Sequence, residues 1–178
     1  MAASTPRGVF APVATIFDAD GNIDTNRFSQ NLDFYATSPL DGIVLLGSNG
    51  EFATMDLAER LQVIETGAQA IGGRKTVMAG TGAESTRATI DLTKAAARAG
   101  VDYGLIVTPH YYKTRYDQKA YVNHYLKVAE ASPIPILVYV MAAYTSVDLP
   151  TPIVLELAKH PNIVGIKDSG GNAAKVGE

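Results

Sequence analysis

Ile163-Val-Gly-Ile-Lys-Asp-Ser-Gly-Gly-Asn172 carries two messages in ten residues. Its first half is apolar and β-branched, and its second half is rich in glycine, so it reads as a buried strand running into a turn. Yet Lys167 stands at the carboxyl end of that strand. Lysine is rare at covered positions. It belongs there either as half of an ion pair, as a side chain reaching out to solvent, or as an amine put to chemical use.

Working outward, the same strand signature recurs at Val9–Phe17, Gly42–Leu46, Thr76–Ala79, Tyr103–Val107 and Ile136–Tyr139. These runs are apolar on both faces, as parallel strands covered by helices are. Helical patterns separate them. Asp24 or Thr25 is expected to cap a helix through Tyr35, and Thr54 or Asp56 one running to about Ile71, with Leu57, Leu61, Ile64 and Ala68 as its apolar stripe. Ser85 caps an alanine-rich helix closed by Gly100, and Asp117 starts one that carries Tyr121, Tyr125 and Val128 on one side. Thr151 caps Pro152–Lys159, with proline in the first turn. Unbroken strand–helix alternation, about 30 residues per unit, leaves a (βα)8 barrel or an open doubly wound sheet. Rhythm alone does not separate them.

Composition removes other classes. The chain has 178 residues, 47% apolar and 19% charged, with a net charge of −3, which suits a globular domain and offers nucleic acid no basic face. There is no cysteine, so disulfides and thiolate chemistry are excluded. His110, His124 and His160 are far apart in sequence, so no histidine metal site is expected. The first residues lack an apolar signal core and no run approaches membrane-spanning length. A cytoplasmic location is the expectation, with an organellar one left open.

In either architecture ligands gather at the carboxyl ends of strands. Asp18-Ala-Asp20 follows the first strand, Gly47-Ser-Asn-Gly-Glu-Phe52 the second, Gly80-Thr-Gly-Ala-Glu-Ser85 the third and Thr108-Pro-His-Tyr-Tyr112 the fourth. Gly47-Ser48-Asn49-Gly50 is a plain turn or a concave anion nest, in which glycine and asparagine supply the unusual backbone angles. Gly80-Thr-Gly82 is a tight turn or a phosphate cradle. Tyr111, Tyr112 and Tyr139 are core or interface aromatics unless their hydroxyls are used. Glu51, Asp168 and Ser169 have ordinary hydrogen-bonding roles open to them. An exposed lysine has a pKa of ~10.4, and only about one in 2500 is neutral at pH 7. Loss of hydration disfavours the ammonium. A neutral amine attacks a ketone to give an imine, whose protonated form draws electrons from an adjacent C–C bond.

Taken together, Gly47-Ser-Asn-Gly-Glu51, Thr108-Pro-His-Tyr-Tyr112, Tyr139 and Gly165-Ile-Lys-Asp-Ser-Gly-Gly171 occur in an order that resembles the dihydrodipicolinate synthase and N-acetylneuraminate lyase family of pyruvate-dependent class I aldolases. The likeness runs from Gly8 to Asn172, and Glu84-Ser-Thr-Arg-Ala-Thr89 is most similar to 4-hydroxy-2-oxoglutarate aldolase and its fungal sugar-acid aldolase relatives. The resemblance implies a (βα)8 TIM barrel, usually a homotetramer, with no cofactor and no metal, because the imine serves as electron sink. It implies Lys167 as the Schiff-base residue and Tyr139 as a proton shuttle, with Tyr112 (or Tyr111) reaching the site of a neighbouring subunit to complete the proton relay with Ser48 and Tyr139. Gly47, Ser48 and Asn49 would hold the carboxylate of a small 2-oxo acid. No nucleic acid or membrane partner is implied.

Two departures qualify it. Where the family reads Asn-Val-Pro-x-Arg-Thr after the tyrosine, this chain reads Val140-Met-Ala-Ala-Tyr-Thr145. Tyr144 therefore replaces an arginine that grips a distal carboxylate in the synthases, and a phenol gives one uncharged donor in place of a bidentate cation. That favours a 4-hydroxy-2-oxoglutarate or 2-keto-3-deoxy sugar-acid aldolase. Dihydrodipicolinate synthesis is the alternative, as is a non-catalytic barrel fragment. Second, a (βα)8 barrel takes about 250 residues. Residues 1–178 are expected to be a single partial TIM-barrel domain holding five βα units and a sixth strand. As a free-standing product they are expected to be poorly soluble and without aldolase turnover.

Overall fold

The computed structural model describes residues 5–177. The backbone groups into two compact units, Pro6–Gly80 with Ala95–Gly104, and Thr81–Lys94 with the chain from Leu105 onward. The division falls within helix α3 (Thr86–Arg98) and within strand β4 (Tyr103–Val107).

In the first unit β1 (Phe10–Pro12), β2 (Gly42–Leu45) and β3 (Thr76–Gly80) are parallel and adjacent in chain order, with Phe10 opposite Gly42 and Gly42 opposite Thr76. The approach to β4 joins β3: Asp102 N–H donates to the Val77 carbonyl at 2.9 Å, and Val77 N–H donates to the Asp102 carboxylate at 2.8 Å. Helices α1 (Thr25–Thr37) and α2 (Leu57–Ile71) pack on one another. Asp24 caps α1 through Arg27 N–H, while Asp56 and Glu59 form a reciprocal capping box on α2. Each such cap contributes about 1 kcal/mol. Gly72, at φ 55°, ends α2 in the left-handed conformation that a helix stop requires.

Two expectations need correction here. The first strand does not reach Phe17. Pro12 has no N–H to extend the ladder, Val13 N–H still reaches the Val44 carbonyl, and the chain then folds back, pairing Phe17 with Ile23. Asp18 closes that reversal by accepting from Asp20 N–H and Asn22 N–H. The Asn22 bonds hold its carboxyl below the usual range, so this loop is self-satisfied. In α2 the covered residues are Val63, Ile64, Gly67, Ala68 and Ile71, whereas Leu57 is 62% exposed. Leu57 directly follows the cap and shares the face of Ile64 and Ala68, but it lies in the first turn, ahead of the covered residues that begin at Val63. Gly67 is there for contact, since a Cβ on it would lie 2.4 Å from Leu45 Cδ1.

In the second unit the end of β4 lies beside β5 (Ile136–Val140), with Thr108 N–H donating to the Tyr139 carbonyl at 3.1 Å. Strand β6 (Ile163–Asp168) runs parallel to β5. The register slips by one residue after Ile136, so that Leu137 faces Gly165 and Tyr139 faces Lys167. Helix α4 (Gln118–Ala131), capped by Asp117, buries Tyr121, Tyr125 and Val128 against Ile106, Val138 and Val140. The Tyr125 hydroxyl donates to the Ile106 carbonyl, and complete burial pushes its pKa up. Asn162 donates to the carbonyls of Ala129, Ser132 and Ile134, fixing the approach to β6. Two short helices, α5 (Ala142–Thr145) and α6 (Thr151–Leu157), follow β5, and α7 (Ala173–Gly177) follows β6. Pro150, and not Thr151, occupies the cap position of α6, which places Thr151 inside the helix. Among the described residues no helix is long and apolar enough to cross a membrane.

Candidate active site

The second unit brings Lys167 and Tyr139 together. The β5–β6 register sets them side by side at the carboxyl ends of their strands, and Lys167 Nζ lies 4.3 Å from the Tyr139 ring centroid. Tyr139 is buried and Lys167 half-buried. The aromatic face attracts a cation by its quadrupole, so the ring orients the nitrogen without neutralising it. One other role open to a strand lysine was an ion pair; reaching solvent was another. Among the described residues no carboxylate lies within ion-pair distance of Lys167.

The carboxylate next in sequence is engaged elsewhere. Asp168 accepts from Gly170 N–H at 2.7 Å and from Lys175 Nζ at 3.0 Å. Lys175 also binds Asp148, on the segment that follows α5. The Gly170 bond, with help from Lys175, holds the Asp168 carboxyl below its usual range. Burial works to lower the Lys175 pKa, but the two carboxylates outweigh it and raise the value. Ser169 N–H donates to the Val140 carbonyl at 2.9 Å and so continues the β5–β6 ladder into the turn.

After β4 the chain turns at Thr108-Pro-His-Tyr-Tyr112. Tyr111 and Tyr112 stand 75% and 59% exposed, edge to face at 4.9 Å. Their loop is held from below by a residue that sequence reasoning did not single out by itself. The Glu84 carboxylate accepts from His110 N–H at 3.0 Å and Tyr111 N–H at 2.9 Å. His110 Nδ1 is 3.0 Å from Glu84 Oε1 and 3.3 Å from the Thr108 carbonyl. Both neighbours are acceptors, which assigns the proton to that nitrogen. Tyr144, on α5, is 73% exposed. Its neighbour Thr145 is buried and accepts from Val147 N–H at 3.1 Å, which pins the turn after α5.

In the first unit Ser48-Asn49-Gly50 forms one tight turn after β2. Gly50 N–H donates to the Gly47 carbonyl, and the Thr15 hydroxyl donates to the Gly50 carbonyl at 2.8 Å. Ser48 is half-buried and Asn49 exposed. The unusual angles expected of glycine and asparagine fall on other residues. Leu46 at φ 51° and Glu51 at φ 59° are left-handed, while Gly47 is at φ −70°. The turn itself is right-handed, so the reversals come where the chain enters and leaves it. Non-glycine residues in that region cost about 1 kcal/mol each.

Gly80-Thr-Gly82 has a different character. A Cβ at Gly80 would lie 2.0 Å from the Leu46 carbonyl oxygen, and one at Gly82 would lie 2.8 Å from Val107 N. Thr81 is fully buried and shares a 2.7 Å hydrogen bond with Thr93. These glycines make room for neighbouring backbone, the role of a tight turn. Of the residues singled out in the sequence, then, Lys167 meets Tyr139, and Tyr111 meets Tyr112. Tyr144 is exposed on α5, and Gly47, Ser48 and Asn49 belong to the other compact unit.

Two parallel strands thus set a lysine and a tyrosine side by side at their carboxyl ends. A model of the dihydrodipicolinate synthetase family matches residues 5–178, and the chain belongs to that family. It is 40% identical over 169 residues to the 4-hydroxy-tetrahydrodipicolinate synthase of Nitrosospira multiformis, an alignment covering 95% of this chain and 56% of that protein. It is 38% identical over 174 residues to a protein of Emericella nidulans named probable mitochondrial 4-hydroxy-2-oxoglutarate aldolase, covering 95% and 56%. Among solved structures, the Acinetobacter baumannii dihydrodipicolinate synthase complexed with pyruvate superposes with a TM-score of 0.90 at 36% identity, covering 95% of this chain and 57% of that one. The chain thus spans little more than half the length of these relatives. It carries the first five βα units and the sixth strand of a (βα)8 barrel.

Proposed function

We propose that the protein works as a class I lyase, making or cleaving a 2-oxo acid with pyruvate as one partner, within one barrel domain of which residues 1–178 are part. The observation that carries this reading is the Lys167 nitrogen held 4.3 Å over the Tyr139 ring at the carboxyl ends of two paired strands. Membership in the family supports it. In this reading Lys167 Nζ attacks the ketone carbon, and the carbonyl oxygen leaves as water after two protonations. On cleavage the substrate's hydroxyl gives up its proton, the aldehyde departs, and the iminium takes the electron pair of the breaking C–C bond to become an enamine. On synthesis the pyruvate iminium first loses a methyl proton, and the enamine so formed donates its pair to the aldehyde carbon, whose oxygen takes up a proton. Tyr139 and Tyr112 move the protons. Gly47, Ser48 and Asn49 hold the acid's carboxylate through hydroxyl and backbone N–H groups. Tyr111 and Tyr144 line the approach of the second substrate. The exposed aromatic pair favours a homo-oligomer, a tetramer in the family pattern.

Borohydride reduction in the presence of pyruvate tests this. A stable pyruvyl adduct mapped to Lys167 is expected, lost in Lys167→Ala. An intact protein that forms none would remove imine chemistry from the account.

The second reading is dihydrodipicolinate synthesis, favoured by the name of the Nitrosospira relative. Tyr144 in place of a cation weighs against it, because a distal carboxylate then loses its charged partner. Parallel assays with 4-hydroxy-2-oxoglutarate and with aspartate semialdehyde separate the two. Binding of pyruvate with neither turnover nor trapping would leave a non-catalytic barrel fragment as the remaining reading.

A further inference from the structure

The loop carrying Tyr111 and Tyr112 raises a mechanical problem. Two large aromatic side chains stand mostly in solvent, on a segment with no strand or long helix of its own. Their rings meet edge to face at 4.9 Å. A phenol that moves a proton in a reaction must be held within a fraction of an ångström, and a small misplacement costs heavily in rate.

Glu84 answers it. Two consecutive backbone N–H groups, of His110 and Tyr111, converge on one carboxylate oxygen at 3.0 and 2.9 Å. The His110 ring adds a third donor to the other oxygen at 3.0 Å. Consecutive N–H groups of this kind form an anion-binding concavity, and here the protein's own carboxylate fills it. Bonds of this type are charge-assisted and stronger than neutral ones. Glu84 itself is anchored. Ser85, the next residue, accepts from Ala88 N–H and starts α3, and the Ala83 backbone is bonded in both directions to the Thr89 hydroxyl. The carboxylate therefore reaches the loop from a fixed base 26 residues away in sequence.

We propose that Glu84 is the positioning residue of the Tyr111–Tyr112 loop: its carboxylate sets the backbone from which Tyr112 reaches the reacting centre. The link to catalysis rests on the lyase reading given above, and the structural link does not. Glu84 accepts from the backbone N–H groups of the loop itself, so it acts through the loop.

The experiment compares Glu84→Gln, Glu84→Ala and His110→Ala with the parent protein in three measurements: amide hydrogen exchange at residues 110–112, borohydride trapping of pyruvate, and steady-state kinetics. Exchange at His110 and Tyr111 is expected to rise about tenfold or more in Glu84→Ala, less in Glu84→Gln, whose amide oxygen still accepts, and little in His110→Ala, which spares both backbone bonds. Pyruvate trapping on Lys167 should stay near the parent level. In Glu84→Ala, kcat should fall about tenfold with KM for pyruvate changing less than about twofold. Unchanged exchange at both amides overturns the proposal. So does a rise in KM with kcat intact, which would make Glu84 a binder of substrate. If Glu84→Ala does not fold, the isosteric Glu84→Gln decides on the same readouts. If the parent protein traps no pyruvate, the lyase reading falls while the exchange measurement still judges the clasp.

Discussion

The two compact units hold their functional-looking residues by opposite means. In the unit Pro6–Gly80 with Ala95–Gly104, the turn after β2 is shaped by backbone: left-handed Leu46 and Glu51 bracket it, and the Leu46 carbonyl passes where a side chain at Gly80 would be. In the other unit the equivalent work falls to side chains: Glu84 beneath the tyrosine loop, Lys175 between two carboxylates, and the Tyr139 ring under Lys167. A backbone-built site is intolerant of added atoms and indifferent to many side-chain exchanges. A side-chain-built site is the reverse.

The contrast can be broken most forcefully at Gly80. Gly80→Ala puts a methyl group 2.0 Å from a carbonyl oxygen that is itself part of the backbone. Neither partner can rotate away, and a loss of about 3 kcal/mol or more is expected in denaturant melts. An alanine tolerated there would mean the turn after β2 is less constrained than its angles indicate.

The next effect belongs to the other unit and to pH. His124 is buried on α4, with Nδ1 3.0 Å from the Thr86 hydroxyl and Nε2 without a hydrogen-bond partner among the described residues. Burial lowers its pKa from 6.5 to about 4, with Glu84 opposing weakly. Between those values the unfolded chain binds a proton that the folded chain refuses. Stability is therefore unaffected by this group above about pH 6.5 and falls as pH drops from there toward 4, by up to about 3 kcal/mol. His124→Gln should flatten that part of the stability–pH curve. A curve already flat in the parent would show that the histidine is readily hydrated.

The smallest effect returns to the first unit. Glu51 is exposed and left-handed at φ 59°. Glu51→Gly removes the Cβ that makes this conformation costly, and a gain of about 0.5 kcal/mol is expected, the relief being partly offset by glycine's greater freedom when unfolded. A loss of stability would reveal a side-chain role at a position assigned to backbone.

Much of this was readable in advance for a physical reason. Strands β2 to β6 are short apolar runs between strong helix starts, and Asp24, Asp56, Ser85 and Asp117 all bond the N–H groups they were expected to. The likeness of four motifs to one family pointed to the barrel before any contact was visible. What escaped was of two kinds. Left-handed angles at Leu46 and Glu51 have no signature, because neither residue type favours them and tertiary packing imposes them. Glu84 looked like part of a family motif and nothing more, because the two N–H groups it accepts from lie 26 and 27 residues away. The length of β1 was misjudged because alternation past Pro12 belongs to a chain reversal closed by Asp18. Helices α5 and α7 are too short to display a period.

The Lys175 bridge bears on protein engineering. Asp148 belongs to the connection after β5 and Lys175 to the one after β6, so two segments that look like separate modules share a fastener. Grafting residues 141–148 from a relative with no acid at position 148 would leave that lysine facing a single carboxylate. Exchanging both connections together carries the fastener along, and the two are best treated as one transplantable piece.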